Sequence, residues 1–554
     1  MSEITVIIYQ QAFLNFKHMG RTPKYIDIHL HPHGRTFNFL RNSKLKNSED
    51  YNPWTSIKSN YKAMERGKRA FSFSQCNFAQ CWNGDCAVVF AAIYPFEKGF
   101  FSGGGHLDKD SIFVLENTID KIPLFGRVVN SILEKITGAV FNSEYERKSV
   151  KDYFQSMLMR MPGKRIEFLQ SPEYDYWTEA KEEIEFILSR NGVESKSKIL
   201  KRSLKKEVKK SESFEKAVGT YVVAKNFKDI SDALDENKLV IVLTLEGAHS
   251  FGLDKNKFEV FNRIEELKRM EYPIFFVTFS HHFNNYLCGH AHSLIKGALL
   301  LANQNDGLQS EFNDLGLAAA RLLLSLSPEN IKNEDSLGRR ILLDVKHMGV
   351  ESREQLYHEI IFPCLHKNDN IPVIASHVCY SGVATFEELK ENWTLKKETE
   401  DLFLNQGLNH WNINVCDQDI EVILKTNGLL GICLDERIMG FNKSDKQNGF
   451  VLLETNLERL LEGLFFNTNL SPEEKSRIWN VMCIGTDFEG YIDPTENYPT
   501  VIEFKELEKD LKSIIQKFID SGKAERYFIF NTPEQIARDF CMDNVMNFLR
   551  ENFN

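Results

Sequence analysis

The stretch Leu239–Glu246 (LVIVLTLE) is a nearly continuous apolar run that ends in a carboxylate. Strands of a parallel sheet that is buried on both faces have this composition, whereas a half-exposed strand alternates apolar and polar residues. Ile274–His281 (IFFVTFSH) repeats the arrangement with an imidazole at its end. Both runs therefore predict buried strands that carry a reactive side chain at or just past the carboxyl end.

The same pattern recurs along the chain. Four more apolar runs end in a histidine or an aspartate: Tyr25–His31, Arg340–His347, Pro372–His377 and Val481–Asp487. Two runs without a terminal ligand complete a series of eight: Ala87–Tyr94 and Leu429–Leu434. Helical patterns lie between them, at Phe258–Met270, Leu315–Leu326 and Asp417–Lys425. This order predicts an α/β fold, a (β/α)8 barrel of the TIM type, with its active site at the C-terminal strand ends.

The first strand carries two histidines. In Tyr25–His31 (YIDIHLH), His29 and His31 are two residues apart, which on a strand turns both imidazoles to the same face, where they can hold one metal ion. A single histidine in an apolar run is more often a satisfied core residue than a ligand. Several strands that each end in a buried polar group need a shared explanation, however, and a metal cluster supplies one.

Two aspartates, Asp27 and Asp344, lie inside predicted strands rather than at their ends. A structural hydrogen-bonding role is the better interpretation for a buried carboxylate there. Such groups can also orient metal ligands from behind.

The length of 554 residues exceeds that of one typical barrel and predicts an insertion. The rhythm of strands and helices is interrupted after Gly99, so we assign 20–98 and 238–554 to the barrel, with closing helices at the C-terminal end, and 99–237 to an inserted, mainly helical region. Within it, Lys196–Lys210 is basic, with Leu200, Leu204 and Val208 four residues apart. That spacing predicts a solvated amphipathic helix rather than a binding patch.

Composition narrows the range of partners. A net charge of −10 argues against a nucleic-acid surface, and no run reaches the ~20 apolar residues that span a bilayer. The N-terminus has no basic region before an apolar one, so we expect a cytoplasmic protein with reduced thiols. Cys76, Cys81 and Cys86 lack a fourth close partner for zinc. A homodimer is compatible with the sequence.

A further histidine group lies in a loop-like stretch after the fourth predicted strand, at His282, His290 and His292. No carboxylate lies close to it in the sequence. A substrate loop or plain surface histidines are therefore favoured over a separate metal site.

The motifs stand in a fixed order: His29–His31, Leu245–Gly247, Thr278–Asn285, Gly316–Leu317, Leu343–His347, Pro372–His377, Ile484–Gly490 and Asp543–Arg550. In this order the chain resembles the membrane dipeptidase (renal dipeptidase) family, peptidase family M19, of the amidohydrolase superfamily. The resemblance covers about 25–99 and 238 to the C-terminus.

The resemblance implies a binuclear zinc hydrolase that cleaves a peptide or a related amide bond in a small substrate. His29, His31 and Glu246 would hold one zinc ion, and Glu246 would bridge to a second one held by His347 and His377. Other divalent metals suit the same donors. Glu246 would thus be catalytic as well, because the bridged ions activate a shared water. His281 would stabilise the oxyanion, and Asp487 would handle the proton and the substrate's amino group.

Three departures from the family pattern bear on specificity. The family has His-x-Asp where this chain has His29 and His31, which leaves the cluster one charge more positive. Lys346 stands where the family has a small residue, and strand alternation predicts that it faces away from the ligands. The family's arginine for the substrate carboxylate falls in His410–Asp417, which has no Arg or Lys. The partner of the substrate carboxylate would then come from the insertion. Simple dipeptides would be poorer substrates than capped or larger amides.

Two alternative functions stay open at this point. A lactonase or another small-molecule hydrolase of the superfamily would use the same hydroxide. A barrel that has lost catalysis and serves as a binding protein is the other alternative. Retention of every predicted ligand and of Asp487 favours an enzyme.

Overall fold

The structure is a computed structural model that describes residues 21–41, 46, 51–55, 74–101, 161–200, 214–253, 256–294, 302–333, 339–392, 407–440 and 448–554. Within these ranges no helix is long and apolar enough to cross a membrane. All ten cysteines fall in them, and each is buried and unpaired.

The core of the molecule is a closed barrel of parallel strands. Its eight members are β1 (Tyr25–Leu30), β2 (Cys86–Ile93), β3 (Leu239–Glu246), β4 (Ile274–Thr278), β5 (Leu342–Asp344), β6 (Ile374–Val378), β7 (Leu429–Ile432) and β8 (Met482–Ile484). Each strand pairs in parallel with the next, and β8 pairs with β1 to close the ring. The predicted (β/α)8 barrel is confirmed.

Continuous apolar runs form these strands because helices cover the outside while side chains fill the inside. Every residue of β2 and of β3 is buried. Burial of one Val, Leu or Ile side chain contributes about 1.5–3 kcal/mol, so the strands are the main source of stability.

β5 and β8 are much shorter than the sequence predicts. β5 and β8 have three residues each, because the backbone leaves the extended conformation before the predicted ends. Positive φ angles of 65° at His347 and 61° at Asp487 mark the turns that follow. These two side chains are therefore presented from turns above the barrel rather than from the strands themselves.

Helices alternate with the strands around the outside. Those that precede β6 are Gly34–Leu40, Phe78–Asn83, Gly163–Gln170, Tyr176–Leu188, Phe227–Asp235, Lys257–Lys268, Asp314–Leu323, Val350–Leu356 and Phe362–His366, with a π-helical turn at Tyr357–Ile361. Those that follow are Phe386–Asn392, Asp417–Lys425, Glu436–Met439, Gly449–Asn467, Pro472–Ser476, Ile478–Val481, Phe504–Asp520, Pro533–Arg538 and Asn544–Asn552, with a second π-helical turn at Asp539–Asp543. Short 3-10 turns lie at Lys98–Phe100, Ala248–Phe251 and Val501–Glu503.

Part of the predicted insertion lies among the described residues. It contains helices, but also a short strand, Tyr221–Val223, that pairs in parallel with β3. The basic stretch begins as strand Ser195–Leu200, which pairs antiparallel with Phe214–Gly219, so the helix predicted for Lys196–Lys210 is wrong over its first five residues. The four-residue spacing of apolar residues predicted a helix wrongly, because pairing with a distant strand overrides local periodicity. Residues 102–160 and 201–213, including the rest of that stretch, lie outside the described residues.

One helix of this region is tied to the loop that follows β1. The Nε2 atom of His33 lies 2.6 Å from Glu183 Oε1, and both side chains are buried. The other oxygen of Glu183 accepts a hydrogen bond from Tyr94 N, just past β2. The helix Tyr176–Leu188 thus joins the ends of two barrel strands beside the predicted ligands.

Candidate metal centre

All the side chains that the sequence predicts to bind metal or take part in catalysis lie at the C-terminal end of the barrel. His29, Glu246 and His377 lie on β1, β3 and β6, and His31 directly follows β1. His281, His347 and Asp487 each stand three residues beyond β4, β5 and β8. Parallel strands bring these chemically related ends to one mouth.

Glu246 is the centre of the group. Its Oε2 lies 3.1 Å from His31 Nε2, and its Oε1 lies 3.1 Å from His29 Nε2. Three further Nε2 atoms face the same Oε1 at 3.5, 3.7 and 3.9 Å, from His281, His377 and His347. One buried carboxylate therefore faces five imidazoles.

Asp487 lies on the opposite side of the first pair. Its Oδ1 is 3.5 Å from His31 Nε2 and 3.8 Å from His29 Nε2, and its Oδ2 is 4.0 Å from His377 Nε2. A Cβ atom at Gly490 would lie 1.8 Å from Asp487 Oδ1, so only glycine leaves room for this carboxylate. Asp487 is thus close enough to touch a bound ion as well as a substrate.

The spacing of these donors fits divalent metal. Two ligands of one tetrahedral zinc ion, each about 2.0–2.1 Å from it, lie about 3.3 Å from one another. The Nε2 atoms of His347 and His377 are 3.3 Å apart, and the two shortest contacts of Glu246 are 3.1 Å. Among the described residues, His29, Glu246, His377 and Asp487 form one group with metal-ligand spacing, and His281, His282 and His347 form another.

The second nitrogens of the imidazoles are held from behind. His31 Nδ1 bonds the Ala92 carbonyl oxygen at 3.0 Å, and His377 Nδ1 lies 2.8 Å from Ser376 Oγ. Ser376 Oγ in turn donates to Asp344 Oδ2 at 2.6 Å. A ring whose Nδ1 is tied in this way turns Nε2 toward the centre, as metal-bound histidines do.

Asp27 and Asp344 make the hydrogen bonds expected of them. Asp27 accepts from His29 N, Thr486 N and Thr486 Oγ1 at 3.1, 3.1 and 2.6 Å. Asp344 accepts from Thr278 Oγ1 at 2.6 Å as well as from Ser376. These bonds link β1 to the end of β8, and β5 to both β4 and β6.

The charges of the centre suit a metal. Burial opposes the charge of Glu246, but His29, His281 and His31 outweigh it and hold its pKa well below the ordinary value. Burial, helped by neighbouring imidazoles, keeps the pKa values of His347 and His377 well below theirs. An ionised carboxylate among neutral imidazoles is the donor set that zinc prefers.

Not every imidazole of the centre is neutral before metal binds. Burial lowers the pKa of His31, but Glu246 and Asp487 more than reverse this and raise it to about 10. Metal binding at His31 must therefore displace a proton.

Sequence reasoning missed Glu97, and it favoured a substrate loop or a plain surface position for His282, which the structure places beside His281 and His347. Glu97, four residues beyond β2, lies 2.5 Å from His281 Nδ1 and accepts a hydrogen bond from Phe283 N. His282 Nδ1 lies 2.6 Å from Ser293 Oγ, and its ring stands 5.0 Å from that of His347. The sequence did contain a signal for Glu97: this carboxylate follows shortly after an apolar run, and six other apolar runs end in a histidine or a carboxylate.

Lys346, which the sequence predicts to face away from the ligands, is buried close enough to the site for its charge to affect two of the histidines. Its side chain is only 2 % exposed, and its charge acts on His347, His377, Cys379 and Cys433, which stand at or beyond the ends of β5, β6 and β7. Because β5 ends at Asp344, strand alternation does not govern position 346. Among the described residues, no hydrogen bond or ion pair occupies its ammonium group.

The other tempting metal sites are not formed among the described residues. His290 bonds the carbonyl oxygens of Ala291 and Asp306, and neither it nor His292 belongs to a group with metal-ligand spacing. No such group includes Cys76, Cys81 or Cys86.

No family model matches this sequence, and no curated protein sequence does. Solved structures match the fold. Metallopeptidases and dipeptidases are among them. One is a metallopeptidase from Rhodobacter sphaeroides liganded with a phosphinate mimic of the dipeptide L-Ala-D-Ala (11% identity, TM-score 0.46, covering 96% of this chain and 100% of that one).

Two others are a dipeptidase of metallopeptidase family M19 and the probable dipeptidase PvdM from Pseudomonas aeruginosa. The first has 10% identity and a TM-score of 0.46 over 96% of this chain and 99% of that one. The second has 10% identity and a TM-score of 0.44 over 98% and 97%. With TM-scores below 0.5, these likenesses say nothing about the reaction. The reaction must therefore be inferred from the side chains of the site.

Proposed function

We propose that this chain is a metal-dependent hydrolase that holds two divalent ions, zinc being the ion that suits the donors best, and cleaves a peptide or related amide bond. One observation carries the proposal. Glu246 lies between two pairs of imidazoles: its Oε2 faces His31 and its Oε1 faces His29, both at 3.1 Å, and Oε1 also faces His377 and His347 at 3.7 and 3.9 Å.

The bound ions would supply a hydroxide near neutral pH and polarise the scissile carbonyl group. The protein's own groups complete the chemistry. Burial raises the pKa of Asp487, and Glu246 adds to the effect, so this carboxylate can take up a proton from the attacking water. From the same position it can bind a substrate ammonium group.

His281 is placed to act on the other side of the substrate. Burial lowers its pKa, but Glu246 and Glu97 raise it above the ordinary value overall, so the ring can carry protons on both nitrogens. Nδ1 then donates to Glu97, and Nε2 is free to donate to an oxyanion. Glu97 holds the ring in the orientation that this task requires.

Lys346 indicates the charge of the substrate. Two other cations are already paired, the buried Arg353 with Asp419 at 2.7 Å and the partly exposed Arg437 with Asp435 at 2.6 Å. A buried ammonium group without a counter-ion is costly, so a negative group of the substrate is its best partner. We therefore infer a substrate with a free carboxylate, which replaces the sequence-based expectation of capped amides.

The experiment is a substrate screen on protein of known metal content. Dipeptides, N-acyl amino acids and lactones would be offered to the zinc-loaded protein, to the metal-free protein and to the Glu246→Gln variant. We expect zinc-dependent amide cleavage that the variant lacks. Turnover of lactones alone would assign the protein to the lactonase alternative, and zinc binding without any turnover would assign it to the binding-protein alternative.

A further inference from the structure

A group of three imidazoles lies beside the Glu246 centre. His281, His282 and His347 each offer one nitrogen, and these nitrogens lie within 4.8 Å of one another. Their ring centroids are 3.9 Å apart for His281 and His282, 4.5 Å for His281 and His347, and 5.0 Å for His282 and His347. Only His281 and His347 have a part in the function proposed above, so His282 needs its own explanation.

The outer nitrogens of the two neighbouring rings are tied. His281 Nδ1 bonds Glu97, and His282 Nδ1 lies 2.6 Å from Ser293 Oγ. Gln304 Nε2 fixes this second tie, because it donates both to Ser293 Oγ at 2.8 Å and to the His282 carbonyl oxygen at 2.6 Å. Outer partners of this kind orient metal-binding histidines and leave Nε2 for the ion.

The third ring has a nitrogen to spare. His347 Nδ1 is buried and has no hydrogen-bond partner among the described residues, while Nε2 faces His377 at 3.3 Å. An unsatisfied buried nitrogen costs stability unless something binds it or the ring turns to share it. His347 can therefore bind one ion through Nε2 and a second ion through Nδ1 as a bridging imidazolate, once the Nδ1 proton is released to solvent.

We propose that His281, His282 and His347 form an additional site for a divalent cation, and that its occupation inhibits the hydrolase. Three histidines are a known zinc donor set, and nitrogens that lie within 4.8 Å of one another need to close in by at most about 1.5 Å to reach tetrahedral spacing. The inhibition rests on the proposed function, because an ion there takes the imidazole that would face the substrate carbonyl. The binding does not rest on it.

The site is weaker than the Glu246 pair for electrostatic reasons. It contains no carboxylate, and His281 Nε2 lies 3.5 Å from Glu246 Oε1, so its ion would stand next to two other cations. Repulsion at such distances is large in a buried site. The additional ion thus binds only after the first two, at higher free metal concentration.

The test is a zinc titration of the metal-free protein, followed by bound zinc per chain and by hydrolysis. We expect two tight equivalents with rising activity, then a third, weaker equivalent with falling activity. His282→Gln should lose the third equivalent and the inhibition, and keep the activity at two equivalents within about twofold of that of the unaltered protein. His358→Ala, which removes an exposed histidine on the far end of a helix, is the matched control and should behave like the unaltered protein.

Ser293→Ala provides a milder variant if His282→Gln does not fold. It removes only the outer tie of His282, and we expect the third equivalent to bind about 10-fold more weakly or worse. The proposal is overturned if the unaltered protein binds no third zinc ion, or if the third ion binds with the same affinity after these changes. Absence of any hydrolysis would count against the proposed function alone, since bound zinc still decides the additional site.

Discussion

Two polar layers lie at the C-terminal end of the barrel, and they differ in how they are satisfied. The lower layer consists of Asp27, Thr278, Asp344, Ser376 and Thr486. Each carboxylate there accepts hydrogen bonds on both oxygens at 2.6–3.1 Å. This layer is complete without any ligand.

The upper layer is the Glu246 centre, in which five imidazoles crowd around one carboxylate. The Nε2 atoms of His347 and His377 point at one another across 3.3 Å, and both oxygens of Glu246 meet imidazoles rather than peptide N–H groups. Positive φ angles at His347 and Asp487 add local strain of about 1–3 kcal/mol each. The lower layer positions the upper one, and in the upper one His29 Nε2 and His347 Nδ1 are buried without a hydrogen-bond partner among the described residues.

The largest effect is expected from the bridge of the upper layer. Glu246→Gln should reduce hydrolysis below detection and weaken binding of both ions by at least about 100-fold, more than loss of an outer partner does. Exposed Glu265→Gln on the helix Lys257–Lys268 is the control for the chemical change and should have no effect. Metal affinity that survives Glu246→Gln would show that the two layers do not differ in this way.

Asp487 separates metal binding from proton transfer. Asp487→Asn should lower kcat by a factor on the order of 100 or more, as expected for loss of a positioned acid or base. Because four imidazoles and Glu246 remain, we expect two zinc equivalents per chain at saturation. Loss of one equivalent would make Asp487 chiefly a ligand.

Lys346 tests whether the upper layer binds a negatively charged group of the substrate. Lys346→Met should lower kcat/KM for a free-acid dipeptide by about tenfold or more, the size of one charge-assisted hydrogen bond, and leave the C-terminally amidated form nearly unchanged. In the unaltered protein the free acid should be the better substrate. A preference for the amidated form would restore the expectation drawn from the sequence.

The smallest effect is expected in the lower layer. Ser376→Ala removes the hydroxyl that joins His377 to Asp344, and should weaken zinc binding by about tenfold while the barrel stays folded. Thr486→Ala is the matched control, since its hydroxyl bonds Asp27 without touching an imidazole. Equal zinc affinities in the two variants would mean that the lower layer does not orient the upper one.

The sequence predicted the barrel because its strands are continuous apolar runs, and β3 has the predicted bounds, Leu239–Glu246. It nominated the residues of the upper layer because a terminal polar residue stands out after such a run. The prediction failed where pairing with a distant strand, or a turn, determines the backbone conformation. Ser195–Leu200 pairs with a distant segment, and β5 ends at Asp344, so strand alternation does not govern the position of Lys346.

Glu97 and His282 show a second limit. Each lies in a loop, where no periodicity links a side chain to the mouth of the barrel. Their importance follows from contacts with His281, Phe283 and Ser293 that only the folded chain creates. The boundaries of the insertion, the substrate partners and the location in the cell stay predictions.

The central claim is that Glu246 bridges two divalent ions at the mouth of the barrel. Anomalous diffraction at the zinc edge, from crystals of the protein loaded with two equivalents of zinc, tests it most directly. We expect two anomalous peaks, each about 2.0–2.2 Å from a Glu246 oxygen. One should lie beside His29 and His31 and the other beside His347 and His377. A single peak, or two peaks of which either lacks contact with Glu246, would contradict it.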